Sequence, residues 1–203
     1  MAECFGFEYV ENPRQEVFNL VEQYHYSRLV PAAIKRVDGL MKDGKIVAGI
    51  IWTTPASRWP EPTIELARLV RNNEPAPLSF LISQSCKKLR IMGEDLCLSF
   101  ADTTHKHHGG IYQASSWNFH GSRKGRIDAF LIDGIRVPCR TCNHRYGTSG
   151  IGLVGMLEKQ GIECIPQRSQ DKNLYWRALN KDGQKKAERL GLLKSKYPKG
   201  MVK

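Results

Sequence analysis

The chain has 203 residues, 41% of them hydrophobic and 9% aromatic, enough to bury a core without cross-links. No apolar run could span a bilayer, and the opening "MAECFGFEYVENPRQE" is too charged for a secretory h-region, so a soluble cytoplasmic protein is expected. The net charge of +11 is uneven: residues 1–121 carry 13 basic and 13 acidic side chains, residues 122–203 carry 18 and 7. Such an excess is either the footprint of a polyanion or a solvated basic surface. No strongly amphipathic basic helix is visible, which argues against a membrane surface.

In chain order, "PRQEVFNLVEQYHYSR" reads as a helix, with Val17, Leu20, Val21 and Tyr24 on one stripe. "RVDGLMKDGKIVAGIIWTTP" reads as a hairpin turning at Asp43-Gly44. Thr63 to Arg71 is the next strand. Strict alternation puts Glu65, Ala67 and Leu69 on one face and Ile64, Leu66, Arg68 and Val70 on the other. "LSFLISQSCKKLR" is a helix behind the loop "NNEPAP", and Asp95 to Asp102 is a strand buried on both faces. "GGIYQASSW" is a short helix. Beyond it come a hairpin at Asp133-Gly134, the helix "GLVGMLEKQG", the strands "IECIPQR" and "NLYWRAL", and a basic helix and tail. The order predicts an α/β fold with a mixed central sheet flanked by helices: residues 1–121 as the core, and 122–203 as a basic C-terminal extension that completes the sheet.

This order resembles that of the GNAT acyltransferases, and the residues are more specific. "IELARLVRNNEPAPLSFLIS" followed by "LSFADTTHKHHGGIYQASSWNFHG" resembles the Mom family of phage DNA-modification proteins. The shared features are a Glu-Leu-x-Arg-Leu strand, a Ser-Phe helix start, an Ala-Asp strand end and a His-x-Gly-x-x-Tyr-Gln-Ala segment. "YHYSR" and "NHRYGTSG" add to it. The resemblance implies a GNAT-like fold. It also implies conversion of adenine to a carbamoylmethyl derivative on its exocyclic amine, which protects phage DNA from restriction nucleases in the host cytoplasm. The alternatives are a GNAT-like acyltransferase for a protein or small-molecule amine, and a non-catalytic DNA-binding protein.

The resemblance also names residues. Asp102, where a buried strand ends, is the candidate base or amine-orienting group; the same residue type also caps helices. Tyr112 matches the tyrosine that protonates leaving thiolates in GNAT enzymes, and it could equally be a core tyrosine. Arg68, on an otherwise apolar face, needs an anion, and Asp102 on a neighbouring strand could supply it. His25 and Tyr26 match the family's His-Tyr pair, and Ser79 matches its helix-start serine. His105, His107 and His108 could ligate a transition metal, and iron has been suspected in this family. "CRTCNH" offers Cys139, Cys142 and His144 as half a zinc site, with Cys164 or His120 as conceivable further ligands.

One departure concerns the donor. The loop "RNNEPAPLSF" has no glycine, and Pro75 and Pro77 lack N–H groups, so the amide cradle for a coenzyme A pyrophosphate is absent or rebuilt. Acetyl-CoA and an aminoacyl-tRNA are the candidate acyl donors. The expected partner is double-stranded DNA, contacted through Arg123, Lys124, Arg126, Arg145, Lys185 and Lys186. A target adenine must leave the stack, and Trp52, Trp117 and Tyr112 are candidate stacking partners.

Overall fold

A computed structural model describes residues 2–55, 59–103 and 109–198; His105, His107 and His108 lie outside them. The elements in order are β1 (Glu3–Cys4), β2 (Phe7–Glu11), α1 (Arg14–Tyr24), β3 (Ile34–Lys42), β4 (Lys45–Thr53), β5 (Thr63–Arg71), α2 (Leu78–Ile91), β6 (Leu96–Asp102) and α3 (Gly110–Ala114). They are followed by β7 (Asn118–Arg123), β8 (Ile127–Ile132), β9 (Ile135–Pro138), α4 (Cys139–Tyr146), α5 (Ile151–Glu158), β10 (Cys164–Arg168), β11 (Lys172–Ala178) and α6 (Lys181–Arg189). Both expected Asp-Gly turns form, with positive φ at Asp43, Gly44, Asp133 and Gly134.

The chain divides into two compact units. The first gathers the segments ending at Ala101 and Gly121 with the chain from Asn173; the second gathers Ser122–Lys172 with Asp102 and Thr103. The segment from Asn173 therefore belongs with the first unit, while the chain between has a core of its own.

The first unit is built on a sheet of order β1-β2-β3-β4-β5-β6-β11-β7. Alternation sorts its strands between two faces. Cys97 and Tyr175 join Trp52, Leu81, Ile82 and Leu89 in the core under α2. Their neighbours Leu96, Leu98, Leu174 and Trp176 pack with Ala187 of α6. Val37, Ile51 and Val70 pack with Val17, Leu20 and Val21 of α1. Helices thus cover both faces, and the central strands read as near-continuous apolar runs. The one fully buried charge among the described residues, Asp38, accepts from the Arg36 guanidinium at 2.8 Å and from Ser85, whose hydroxyl also takes the Trp52 N–H at 2.7 Å.

The second unit holds the antiparallel sheet β10-β8-β9. Phe130, Ile132, Cys142, Leu153, Leu157 and Cys164 form its core with α4 and α5. The sequence reading missed α4, because "CRTCNH" drew attention as metal ligands rather than as a helix.

Lys186, expected at a DNA surface, is instead only 6% exposed. Its ammonium donates to the Pro62 carbonyl at 2.7 Å and to the Asp95 carboxylate at 3.1 Å, pinning α6 to the start of β6. An ammonium held this way has no reach to a phosphate. Burial raises the Asp95 pKa, but hydrogen bonds from Asn180 and Lys186 outweigh it, so the group sits below the ordinary aspartate range. Replacing Lys186 with Gln should lower stability by about 3 kcal/mol, because it strands a partly buried carboxylate. A depressed carboxylate pKa stabilises the fold above the unfolded value and loses that effect as pH falls through the folded one. Urea melts should therefore separate variant from parent at about pH 7, and the gap should narrow as pH falls below the ordinary aspartate range.

Candidate active site

The site begins where two parallel strands part. β5 stays on β4 from Glu65 to Arg71, but it pairs with β6 only from Thr63↔Leu96 to Leu66↔Ser99. Beyond that, each continues alone on the side facing the other. Sites collect where strand ends diverge in this way.

β5 also carries a bulge. Leu66 opposes Trp52 and Arg68 opposes Ile51, leaving Ala67 as an extra residue. The bulge reverses the alternation. Leu66 and Leu69 share the α2-side core, while Val70 packs on the α1 side. Glu65 and Arg68 are thereby brought to a common face, where strict alternation had separated them.

Arg68 is half-buried. Its Nε donates to the Leu29 carbonyl at 3.0 Å and its Nη1 to the Ala67 carbonyl at 2.7 Å. Burial lowers its pKa, opposed by the charges of Tyr26 and Glu65. The anion expected from the sequence was Asp102; the charges that bear on Arg68 are those of Tyr26 and Glu65. Arg68 ties the segment after α1 to the bulge and covers a carbonyl there.

The second carbonyl at the parting, that of Leu66, accepts from the Ser99 hydroxyl at 3.0 Å. Ser99 Oγ also lies 2.7 Å from the Tyr112 hydroxyl. Tyr112 is buried beside Tyr175, with ring centroids 4.7 Å apart, and Trp117, at 5.3 Å. Gly109, at φ +81°, opens α3 against Tyr175, where a Cβ would come within 2.1 Å of the phenol oxygen. Burial pushes the Tyr112 pKa up to about 12, with Ser99 opposing and the charges of Tyr26 and Glu65 adding. Tyr175 is raised to about 12 as well, by burial and by its tyrosine neighbours Tyr112 and Tyr197. Tyr112 is thus held as a neutral phenol.

The other expected residues fall as follows. His25 follows the last turn of α1, and its Nδ1 accepts from the Ser27 N–H at 3.2 Å. Its ring lies 4.3 Å from that of the exposed Tyr26. Ser79 is half-buried in the first turn of α2, where the N–H groups of Leu78, Phe80 and Leu81 are bound by the carbonyls of Ala76 and Pro77. Asp102 ends β6, half-buried. Lys124, Arg126, Arg145 and Lys185 are exposed and Arg123 is half-buried. Trp52 and Trp117 are fully buried and Tyr112 nearly so, which removes all three as open platforms for a base.

Among the described residues, no group of three His, Cys, Asp or Glu side chains is placed to hold a metal ion. The thiols of the expected zinc half-site donate to carbonyls instead: Cys139 to Ile127 and Ser149, and Cys142 to Val137. Burial raises all three thiols of that core, including Cys164. His120, the other conceivable ligand, accepts the Leu193 N–H on its Nδ1.

Ser99, Glu65 and Tyr175 were missed from sequence. Ser99 could have been found as the one hydroxyl in the buried run "LCLSFA", and Glu65 as the acid of the Glu-Leu-x-Arg-Leu strand. Tyr175 carries no such signal.

The model of the Mom protein family matches residues 7–199. The chain belongs to that family. No curated protein matches it in sequence. Three solved structures illustrate the fold. The ribosomal-protein-S18-alanine N-acetyltransferase of Escherichia coli is 7% identical, with TM-score 0.51, over 86% of this chain and 94% of that one. A Desulfovibrio desulfuricans protein described as a GNAT-family acetyltransferase is 10% identical, with TM-score 0.52, over 86% and 99%. A Bacillus subtilis acetyltransferase in complex with CoA is 10% identical, with TM-score 0.51, over 86% and 98%. This Mom family chain therefore has the GNAT-like α/β fold.

A raised tyrosine pKa stabilises the fold below the unfolded value and loses that effect as pH rises through the folded one. Between pH 10 and about 12, the parent should lose about 1.4 kcal/mol per pH unit for each such tyrosine. Tyr112→Phe should show a shallower decline over this window in denaturant melts.

Proposed function

We propose that this chain is a GNAT-like transferase that modifies the exocyclic amine of adenine in double-stranded DNA. The product is the carbamoylmethyl derivative, which shields phage DNA from host restriction nucleases. The observation that carries this reading is the neutral Tyr112 phenol, held by Ser99 where β5 and β6 part, in a chain of the Mom family.

The chemistry needs three things. Adenine's amine is a weak nucleophile, because its lone pair is delocalised into the ring. A carboxylate must orient it and take its proton, which is the role of Asp102. The donor's leaving group must be protonated, and a phenol that remains neutral at physiological pH suits that role in Tyr112. The electrophilic carbonyl must be received without repulsion. The Leu66 and Ala67 carbonyls each already accept a hydrogen bond, from Ser99 and Arg68, which weakens their repulsion of a donor carbonyl.

The donor follows from atom balance. A carbamoylmethyl group brings two carbons, a nitrogen and an oxygen. An acetyl group carries no nitrogen, whereas a glycyl ester carries every atom needed: its ester bond breaks as the adenine amine forms a glycyl amide and the leaving hydroxyl takes a proton, and attack of the glycyl amine on adenine C6 then displaces the original nitrogen as the terminal carboxamide, with no atom gained or lost. The start of α2 agrees: the N–H groups of Leu78, Phe80 and Leu81 are already given to the Ala76 and Pro77 carbonyls, and Pro75 and Pro77 have none to offer a coenzyme A pyrophosphate. Both points favour an aminoacyl-tRNA over acetyl-CoA. The described residues do not fit an iron or zinc ion, so no step is assigned to one.

Expression of the chain with a plasmid, followed by nucleoside mass spectrometry, tests the reading. An adenosine species heavier by about 57 Da is expected, and it should vanish with Asp102→Ala and fall at least about a hundredfold with Tyr112→Phe. Acylation of another amine by the same protein would favour the broader acyltransferase. DNA binding with unaltered nucleosides would favour a non-catalytic role.

A further inference from the structure

The second unit is joined to the rest of the chain by two connecting segments, one leading from β7 into β8 and the other from β10 into β11. They cross in close contact. The Ser169 N–H donates to the Arg126 carbonyl at 2.9 Å, and the Ser169 hydroxyl bonds the same carbonyl at 3.2 Å. The Asp171 carboxylate accepts the Gly125 N–H at 2.9 Å, and its main-chain carbonyl accepts from the Thr103 hydroxyl at 2.8 Å. Gly125 is what permits the crossing, because a Cβ there would stand 1.6 Å from the Ser169 carbonyl oxygen.

The crossing brings together cations that are far apart in sequence. Lys124 and Arg126 come from one segment, and Arg168 and Lys172 from the other. The first three are exposed and Lys172 is half-buried. None of the four is in an ion pair among the described residues; the salt bridges found lie elsewhere. The acid within the crossing, Asp171, is engaged by a backbone amide. Four like charges held together by main-chain bonds, against the single carboxylate of Asp171, leave a net positive seat for an external anion. Neither "SRKGR" nor "RSQDK" contains an aromatic residue. Unpaired strands are gripped by stacking on aromatic rings, so these segments suit a phosphate backbone rather than splayed bases.

We infer that this crossed basic neck, formed by Lys124, Arg126, Arg168 and Lys172, is where the phosphate backbone of duplex DNA is held. The inference rests on the reading of the chain as a DNA adenine modifier, and it adds Arg168 and Lys172 to the cations expected from sequence. It gives this unit the task of holding the duplex while a base is extruded from it.

The test compares the full chain with Lys124→Gln/Arg126→Gln/Arg168→Gln. The control is Lys45→Gln/Lys87→Gln/Lys181→Gln, which removes three exposed cations from the first unit. Binding of a labelled duplex is followed by fluorescence anisotropy across a salt series. The neck variant should bind at least about tenfold more weakly, for every duplex sequence alike. Its slope of log K against log salt should be shallower by about 2–3. The control should keep the parent's slope, and both should melt with the parent. Gly125→Ala, which keeps every charge but forces the segments apart, should also weaken binding. Parental affinity and slope in the neck variant would overturn the inference. So would an equal loss in the control, or a loss confined to labelled tRNA. If the parent chain leaves adenine unmodified yet binds DNA through these residues, the neck stands and the proposed chemistry falls. If parent and neck variant modify DNA equally well at limiting DNA concentration, the neck falls alone.

Discussion

A carbonyl at the end of a strand pairing has to find a donor, and in this protein that requirement organises the site. β6 leaves β5 after Leu66, and the Leu66 carbonyl would be left bare beside a buried core. Ser99 satisfies it from β6 itself. One residue later, the bulge at Ala67 presents another carbonyl, and Arg68 covers it. The strands can therefore part without losing the energy of orphaned acceptors, on the order of 1–3 kcal/mol each. The gap is kept open by side chains of the strands that border it.

The same bulge explains how much could be read in advance. Strand and helix placement was largely legible, because period-2 and period-3.6 patterns dominate the first hundred residues and Asp-Gly turns mark the hairpins at Asp43 and Asp133. The face of Arg68 was not legible. A bulge adds one residue without changing composition, so alternation counted across Ala67 gives the wrong face for everything beyond it. Lys186 failed for a different reason. A lysine in a basic helix looks solvated until the fold shows that its ammonium reaches Pro62 and Asp95 on other elements. The cysteines of "CRTC" were ambiguous in sequence, because metal spacing and a helical i, i+3 pair are the same spacing. Their thiols donate to carbonyls within an apolar core.

The basic excess is shared between the two units. Residues 122–172 hold nine basic and five acidic side chains, and the last 31 residues hold nine and two. Several cations of the latter are used internally: Lys186 in an ion pair, Arg177 on the Ser115 carbonyl and Lys194 near the Trp176 ring at 5.8 Å. The crossing segments have a smaller net excess, but among the described residues Lys124, Arg126, Arg168 and Lys172 are in no ion pair. A sequence count weighs both regions by number, whereas binding depends on which charges are still available.

The hydrogen bonds around Ser99 also constrain how Tyr112 can act. A serine hydroxyl has one proton, and that of Ser99 is given to the Leu66 carbonyl. The bond between Ser99 and Tyr112 must then be donated by the phenol. At rest, the Tyr112 proton points at Ser99 and its oxygen lone pairs face the remaining space. To protonate a leaving group, Tyr112 must turn its O–H away from Ser99, and Ser99 must then either lose that bond or donate to Tyr112 at the expense of Leu66. A leaving group of rising basicity draws the proton across as its bond to the acyl carbon breaks, while an uncharged ground state has little pull. Burial keeps the phenol neutral until that moment, and Ser99 holds the proton at its starting point. In the proposed transfer, release of the Tyr112 proton is thereby coupled to progress of the reaction, with a hydroxyl whose first task is to satisfy the carbonyl where the strands separate.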